Sequence, residues 1–231
     1  MTVTKPIRRI AIVGTGVIGA SWTALFLAKG LQVTATDIAP NAEAALRQFV
    51  ETAWPTLKRL GLSPGASQSN LKFTADLAAA LDGVDFVQEN GPERLDFKRK
   101  LYGQLDELLP PAAIIASSSS GLKMSEIQSG AALHPERCVI GHPFNPPHLI
   151  PLVEVVGGKK TSEQTIRRAM EFYTSIGKKA VRLNKELPGH VANRLQGALA
   201  REVYHLVAED VLSAADVGAG QRLRSPSGFD Q

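Results

Sequence analysis

The sequence lacks several features that mark particular classes of protein. It contains one cysteine, Cys138, so an internal disulfide is impossible and a reducing compartment is favoured. Because Cys138 stands in an apolar run, we expect a buried side chain rather than a nucleophile. No apolar run approaches the roughly 20 residues of a membrane-spanning helix. The first residues show no signal-peptide core or cleavage site before the first predicted strand. These features predict a cytoplasmic protein with no membrane segment.

Concentrated charge of one sign is also missing. The chain has 26 basic and 22 acidic residues, a formal net charge of +4, and the two signs are interspersed. Proteins that bind nucleic acids usually gather lysine and arginine in a patch or stripe. We therefore predict no nucleic-acid partner. We also predict no metal site. The chain is 44% hydrophobic and 21% charged, which is ordinary for a globular protein. Its 231 residues suit one large domain, or one domain and part of another.

A glycine pattern near the N-terminus is the most informative feature. Gly14, Gly16 and Gly19 have G-x-G-x-x-G spacing, between a strand-like run at Ile10–Val13 and an alanine-rich helical run at Val17–Ala28. Gly14 would permit the tight turn from strand to helix. Gly16 would let a pyrophosphate approach the backbone, and Gly19 would let the helix pack closely on the sheet. This context predicts a dinucleotide site. The alternative is a glycine-rich turn that binds no nucleotide.

The helix start and the next strand complete the predicted site. The first N–H groups of the helix, including those of Val17 and Ile18, would face the phosphates. A second strand, Leu31–Thr36, ends in Asp37, which follows Gly16 by 21 residues. An acid at about this place accepts hydrogen bonds from the adenosine ribose hydroxyls. Since its charge would repel a 2′-phosphate, we predict NAD rather than NADP as the cofactor.

The remaining chain alternates predicted strands and helices. We expect strands at 71–74, 84–88, 113–116, 138–141, 152–156 and 179–183. We expect helices at 41–60, 74–81, 93–109, 123–129, 162–176 and 190–209. This alternation predicts an α/β fold with a Rossmann-type, doubly wound, mostly parallel sheet. The composition changes near Pro188-Gly189, so residues 1–187 are predicted to form the NAD-binding domain and 188–231 a partial helical domain.

The positions of the prolines lead to three further predictions about these elements. Pro55 would kink or split the helix at 41–60. Pro92 suits the start of the helix at 93–109, with Glu93 in its first turn. The segment Pro143–Pro147 is predicted to be an extended, rigid loop, because proline fixes φ and disfavours helix in the residue before it.

Three polar residues fall at or near the ends of predicted strands, where ligands bind in such sheets. His142 is a candidate general base, and Glu154 could orient it and offset the charge of its imidazolium. Ser120 could hold a substrate hydroxyl. The alternatives are a histidine merely buried beside a proline loop and a glutamate on a solvated strand face. The apolar neighbours of Glu154 favour burial, and a buried carboxylate needs a partner.

Four segments occur in a fixed order behind the glycine pattern: QENGPERLDFKRKLY, ASSSSGL, GHPFNPPHLIPLVEVVGG and PGHVANRL. With a glutamate 12 residues after the histidine, the chain from about Ile7 to about Asp216 resembles the 3-hydroxyacyl-CoA dehydrogenase family. It is most similar to the carnitine dehydrogenase and gulonate 3-dehydrogenase (lambda-crystallin) branch. Acyl-CoA enzymes more often have asparagine where Ser118 stands, and the region after Trp54 is shorter than their CoA-binding hairpin. Both differences disfavour a CoA ester substrate.

The resemblance implies roles for individual residues. His142 would be the general base, paired with Glu154. Ser120 would hydrogen-bond the substrate oxygen, and Asn193 would make a second polar contact there. Glu93, Lys98 and Ser118 would lie near the nicotinamide end of the cofactor. The implied cofactor-binding set is therefore Gly14, Gly16, Val17, Ile18, Gly19, Asp37, Glu93, Lys98 and Ser118.

The resemblance also bears on assembly. In this family a helical domain of substantial length follows the predicted helix at 190–209 and builds a dimer interface. Here the chain ends at Gln231 and is irregular from about Val217, so we expect an incomplete helical domain with a poorly ordered tail. One side of the helix is apolar, which predicts a homodimer. The apolar residues are Val191, Leu195, Leu199, Val203, Leu206 and Val207.

Two functions from different classes remain open at this point. The first is an NAD-dependent dehydrogenase of fatty acid or carnitine metabolism, acting on a 3-hydroxyacyl-CoA or on a small 3-hydroxy acid. The second is a dinucleotide-binding protein with little or no turnover. The polar set at the strand ends favours the enzyme, and the incomplete helical domain favours the binder.

Overall fold

A computed structural model describes residues 6–217, so the predicted irregular tail beyond Val217 lies outside the described residues. The chain divides into two compact units, Met1–Pro188 and Gly189–Gln231. The first unit contains one eight-stranded sheet with helices on both faces. The second contains one long helix within the described part.

The sheet confirms the predicted Rossmann-type fold. Its strands are β1 (Arg9–Val13), β2 (Gln32–Thr36), β3 (Leu71–Thr74), β4 (Phe86–Glu89), β5 (Ile114–Ser117), β6 (Cys138–Pro143), β7 (Leu152–Gly157) and β8 (Lys179–Arg182). They lie in the order β3-β2-β1-β4-β5-β6-β7-β8. The strands β1 to β6 are parallel, whereas β7 is antiparallel to β6, and β8 is parallel to β7. The chain leaves β1 toward β2 on one side and returns as β4 on the other. Ligands bind at such a switch point.

The helices close both faces of the sheet. They are α1 (Val17–Ala28), α2 (Ala42–Leu60), α3 (Leu77–Leu81), α4 (Leu95–Leu108), α5 (Met124–Ile127) and α6 (Glu163–Ser175), with α7 (Ala192–Ala208) in the second unit. Successive side chains of a strand point to opposite faces. Ile10 and Ile12 of β1 accordingly belong to a core packed under α1, α2 and α6, and Ala11 and Val13 to a second core under α4 and α5.

Three local expectations need correction. Pro55 lies inside α2, which continues unbroken to Leu60. Helix α4 begins at Leu95, with Arg94 as its N-terminal cap residue, so Glu93 precedes the helix. The chain after Pro143 is not extended throughout. The amides of Leu149 and Ile150 both donate to the Pro146 carbonyl at 3.0 Å, which closes a turn.

Cys138 is buried in β6, as predicted. Burial raises the pKa of its thiol to about 12, which disfavours the thiolate that a nucleophile requires. No helix within the described residues is long and apolar enough to span a membrane.

Candidate active site

The glycine loop between β1 and α1 forms a cradle. Gly14 has φ +87°, a conformation that favours glycine, and a Cβ there would lie 2.9 Å from the Asn90 carbonyl. A Cβ on Gly19 would lie only 1.9 Å from the Gly14 carbonyl oxygen, so α1 can approach the loop only with glycine there. A Cβ on Gly16 would meet no heavy atom within 4 Å. The backbone at Gly16 is therefore open to a ligand, which fits a pyrophosphate.

Asp37 ties the glycine loop to the end of β2. Its Oδ2 accepts hydrogen bonds from the Thr15 amide at 2.7 Å and the Thr15 hydroxyl at 3.0 Å. Its Oδ1 accepts from the Ala39 amide at 2.9 Å. Burial opposes ionisation of Asp37, but these hydrogen bonds outweigh it and lower its pKa. Asp37 is thus a carboxylate at neutral pH, and it shapes the loop as well as offering an acceptor to a ribose.

A cleft of about 740 Å³ opens beside this loop at the switch point between β1 and β4. Its apolar residues suit a flat aromatic base, and its glycines and Asp37 suit a phosphate and a ribose. The lining residues are Val13, Gly14, Gly16, Thr36, Asp37, Ile38, Ala75, Leu77, Asn90, Gly91, Pro92, Phe97, Lys100, Leu101 and Gln104.

His142 and Glu154 form a buried pair elsewhere on the sheet. They are directly opposite each other in the antiparallel register of β6 and β7. His142 Nδ1 lies 2.9 Å from Glu154 Oε2, and the two residues are only 6% and 2% exposed. The alternative of a solvated Glu154 is therefore wrong. A carboxylate oxygen is a hydrogen-bond acceptor, so this contact orients the imidazole ring through its Nδ1 atom.

Gly141 explains how His142 is held in place. A Cβ on Gly141 would lie 2.0 Å from the Tyr173 hydroxyl oxygen, so only glycine permits this packing of α6 on β6. The Tyr173 hydroxyl donates to Gln88 Oε1 at 2.6 Å. The Gln88 amide nitrogen in turn donates to the Ser118 hydroxyl at 2.9 Å and approaches the Gly141 carbonyl at 3.5 Å. The histidine strand and the serine segment thus share one buried network.

Glu93 holds the serine segment that follows β5. Its Oε1 accepts hydrogen bonds from the Ser119 hydroxyl at 2.6 Å and from the Ser120 and Gly121 amides at 3.0 and 2.8 Å. Burial opposes ionisation of Glu93, but these bonds and the charge of Lys98 lower its pKa. Since Ser117 pairs with Ile140 in the sheet register, the serine segment and His142 leave neighbouring strands at the same edge. The structure therefore brings Ser120 and the His142 strand end to one side of the sheet.

Ser118 is held by hydrogen bonds to three other side chains. Its hydroxyl donates to Asn90 Oδ1 at 2.7 Å and accepts from Gln88 Nε2 at 2.9 Å and Trp22 Nε1 at 3.2 Å. A hydroxyl has one donor and two acceptor sites. All three are engaged within the protein, so Ser118 links the end of β5 with β4 and α1.

Lys98 is likewise buried, with an exposed fraction of 1%. Its Nζ lies 2.7 and 2.9 Å from the two carboxylate oxygens of Glu89 and 3.3 Å from the Gly91 carbonyl. Glu89 also accepts from the Ser117 hydroxyl at 2.6 Å. Lys98 therefore holds the loop after β4 in place through its contacts with Glu89 and Gly91. Sequence reasoning missed Glu89, although an acid in a run as apolar as that of β4 is a signal of a buried partner.

The remaining predicted residues have simpler placements. Val17 and Ile18 form the first turn of α1, where helix amides have no acceptor within the helix. Asn193 lies near the start of α7 in the second unit, and its contact with substrate stays a prediction. Within residues 6–217 no group of three or more histidine, cysteine or acidic residues could hold a metal ion.

Comparison with known proteins identifies an NAD-binding domain in this chain. Residues 9–187 match the family 3-hydroxyacyl-CoA dehydrogenase, NAD binding domain. The L-carnitine dehydrogenase of Streptomyces coelicolor is 52% identical over 217 residues, which are 94% of this chain and 68% of that protein. The L-carnitine dehydrogenase of Pseudomonas putida is 48% identical over 222 residues, 94% of this chain and 69% of that protein. The chain thus spans about two thirds of the length of these relatives.

Solved structures share the fold. An NAD⁺-dependent dismutase, 5-formyl-3-hydroxy-2-methylpyridine-4-carboxylic acid 5-dehydrogenase, superposes with a TM-score of 0.86 at 39% identity, covering 93% of this chain and 69% of that one. The 3-hydroxybutyryl-CoA dehydrogenase of Escherichia coli gives a TM-score of 0.82 at 28% identity, covering 90% of this chain and 44% of that one.

Proposed function

The chain belongs to the 3-hydroxyacyl-CoA dehydrogenase family, and we propose that it oxidises the 3-hydroxyl group of a small, carnitine-like 3-hydroxy acid to the ketone, with NAD as the acceptor. The observation that supports this proposal most strongly is the buried pair of His142 and Glu154, with its 2.9 Å hydrogen bond at the end of β6. A histidine in this setting is equipped to remove a hydroxyl proton.

The proposed mechanism assigns one task to each side chain. His142 Nε2 takes the proton of the substrate hydroxyl, and Glu154 offsets the positive charge that develops on the imidazole. General base catalysis of this kind contributes on the order of 10²–10⁴ in rate. Ser120 and Asn193 hold the substrate oxygen. When bound, NAD supplies the acceptor for the hydride from C3, and this chemistry belongs to the cofactor.

The cofactor is held by residues whose surroundings fit it. The open backbone at Gly16 and the tight turn at Gly14 suit the pyrophosphate, and the amides of Val17 and Ile18 face it at the start of α1. Asp37 accepts from the adenosine ribose and repels a 2′-phosphate. Glu93, Lys98 and Ser118 act near the nicotinamide end by holding the loops after β4 and β5 in position.

The substrate class rests on resemblance to known proteins. Relatives that are 52% and 48% identical are L-carnitine dehydrogenases. Ser118 occupies the position that is more often asparagine in acyl-CoA enzymes, and this favours a small hydroxy acid over a CoA ester. Gulonate is the second small hydroxy acid that the resemblance suggests.

The test is NADH formation by the 231-residue chain with a panel of L-carnitine, gulonate, 3-hydroxybutyrate and 3-hydroxybutyryl-CoA. We expect turnover of L-carnitine above the other three. Turnover of the CoA ester alone would contradict the substrate class. NADH binding, seen by fluorescence, without turnover of any substrate would favour a dinucleotide-binding protein instead.

A further inference from the structure

We propose that Lys178 is a positioning residue, which fixes the turn at 146–150 and thereby the orientation of His142. The inference rests on the proposed role of His142 as the base. Lys178 lies between α6 and β8 and does not belong to the residues of the mechanism above. It is 6% exposed, so its ammonium group must be satisfied inside the protein.

The contacts of Lys178 lead to the turn after β6. Its Nζ donates to the backbone carbonyl of Pro147 and, at 2.8 Å, to that of Ile150. The same atom lies 4.9 Å from the centre of the Trp22 ring, within range of a cation–π contact. Among the described residues no carboxylate lies within salt-bridge distance of Lys178. Its charge is thus directed at two carbonyls and one aromatic ring.

The turn depends on such outside contacts because it has few of its own. Pro146 and Pro147 have no N–H group to donate. A second connection comes from α1, where the Ser21 hydroxyl accepts from the His148 amide at 2.9 Å and lies 2.7 Å from His148 Nδ1. Burial, together with the charge of Lys178, lowers the pKa of His148. A neutral His148 can accept the Ser21 hydrogen, so Lys178 also supports this connection.

Lys178 joins two elements that adjoin residues of the proposed mechanism. On one side the turn begins three residues after Pro143, the residue that follows His142 in β6. On the other side Trp22 Nε1 donates to the Ser118 hydroxyl at 3.2 Å, behind the serine segment. An apolar side chain could fill the same volume, but it could not hold two carbonyls. This difference separates a positioning role from simple packing.

The experiment compares Lys178→Met, which keeps the stem and removes the donors, with Lys179→Met. Lys179 is the next residue and is exposed, so it is a matched control. The readouts are the imidazole NMR signal of His142, assigned by its loss in His142→Ala, and amide hydrogen exchange. Neither readout needs turnover, so a failure of the proposed function can be distinguished from a failure of this inference.

In Lys178→Met we expect the His142 imidazole signal to shift or broaden. The Leu149 and Ile150 amides should exchange about tenfold faster, because local opening of the turn is easier. The amides of β1 should exchange as in the unaltered chain, and Lys179→Met should leave both readouts unchanged. An unchanged His142 signal would overturn the proposal. Faster exchange that is equal in β1 and in the turn would also overturn it, since this indicates general destabilisation.

A chain that turns over substrate allows one kinetic check. Lys178→Met should lower kcat about tenfold without changing the Kd for NADH, because the glycine loop is untouched. In the His142→Ala background the same change should have no further effect on kcat, since residues that act as a unit are not additive. A full tenfold loss in that background would contradict action through His142.

Discussion

His142 and Glu154 face each other across β6 and β7, and each provides the polar partner that the other needs in a buried position. The antiparallel register creates this pair, because it places two residues separated by 12 positions directly opposite each other. The carboxylate therefore fixes both the orientation of the imidazole and the location of its proton.

Glu154→Gln tests the charge of this pair at nearly constant volume. A hydrogen bond to a charged group contributes about 1.5–3 kcal/mol, which corresponds to a loss of about 10–150-fold in kcat. The Kd for NADH should not change. Steady-state kinetics of Glu154→Gln checks this expectation. The control is Glu136→Gln, which changes an exposed glutamate near β6. Equal kcat values for the two variants would contradict the role of the charge.

The contacts of some residues could be predicted from the sequence and those of others could not, for a physical reason. His142 and Glu154 stand out because a polar residue in an apolar strand needs a partner. Ser118 and Lys98 were placed near the cofactor, but their contacts with Gln88, Glu89 and Trp22 come from two other elements, β4 and α1. Such contacts between distant segments have no local pattern, so only the folded chain reveals them.

At the scale of elements, the turn from β1 into α1 shows what local sequence can determine. The predicted bounds of α1, Val17–Ala28, are confirmed, because Gly16 and Lys29-Gly30 bracket an alanine-rich run. The start of α4 was predicted too early. Glu93 is drawn away from the helix by its hydrogen bonds to the serine segment. A long-range contact here overrides the helix-start preference of the residues around Pro92.

Two glycines of this turn predict opposite outcomes for the same substitution. Gly16→Ala adds a Cβ to open space, so the melting temperature should be unchanged while the Kd for NADH rises. Gly19→Ala places its Cβ 1.9 Å from the Gly14 carbonyl oxygen, and such overpacking costs about 1–3 kcal/mol. Thermal melts and NADH fluorescence titrations measure both effects. A stable Gly16→Ala variant that binds NADH normally would contradict the assignment of this loop as the pyrophosphate-binding site.

At the scale of the whole molecule, burial of Lys178 makes stability depend on pH. Burial lowers its pKa from 10.5 to about 8. Between these values the unfolded chain holds a proton that the folded chain has lost, so Lys178 makes the free energy of unfolding rise with pH across this window. Lys178→Met lacks this contribution.

Urea unfolding at about pH 7 and about pH 9.5 tests this sign. The unaltered chain should gain stability relative to Lys178→Met at the higher pH. Burial raises the pKa of Tyr102 and Tyr173, and because both proteins contain these residues, their contribution cancels in the comparison. If the difference in the free energy of unfolding between the two proteins is the same at both pH values, the lowered pKa of Lys178 is contradicted.

We predict that the chain associates with a second copy through the helix of its second unit. No residue of α7 is buried, and Leu195 and Leu199 are 65% and 55% exposed. Exposed apolar patches mark interfaces or aggregation sites, so the chain should self-associate through α7. Leu195→Glu with Leu199→Glu should lower the mass seen by light scattering. A monomeric parent chain at high concentration would contradict this prediction.

The alternation of strands and helices was sufficient to predict the parallel Rossmann-type sheet, since parallel strands need helical crossovers. Alternation does not predict the antiparallel insertion of β7 beside β6. The glycine loop, Asp37 and the strand-end residues were predictable because each belongs to one short segment. The contacts of Glu93, Glu89 and Lys178 with distant segments could be seen only in the folded chain.

The most direct test of the account is the rate of NADH formation from L-carnitine by the chain and by His142→Ala, with the Kd for NADH measured in both. We predict that His142→Ala lowers kcat on the order of 10²–10⁴ and leaves the Kd unchanged. His134, a partly exposed histidine outside the proposed site, is changed to alanine as the control and should have no effect. Undiminished turnover by His142→Ala would contradict the assignment of His142 as the base.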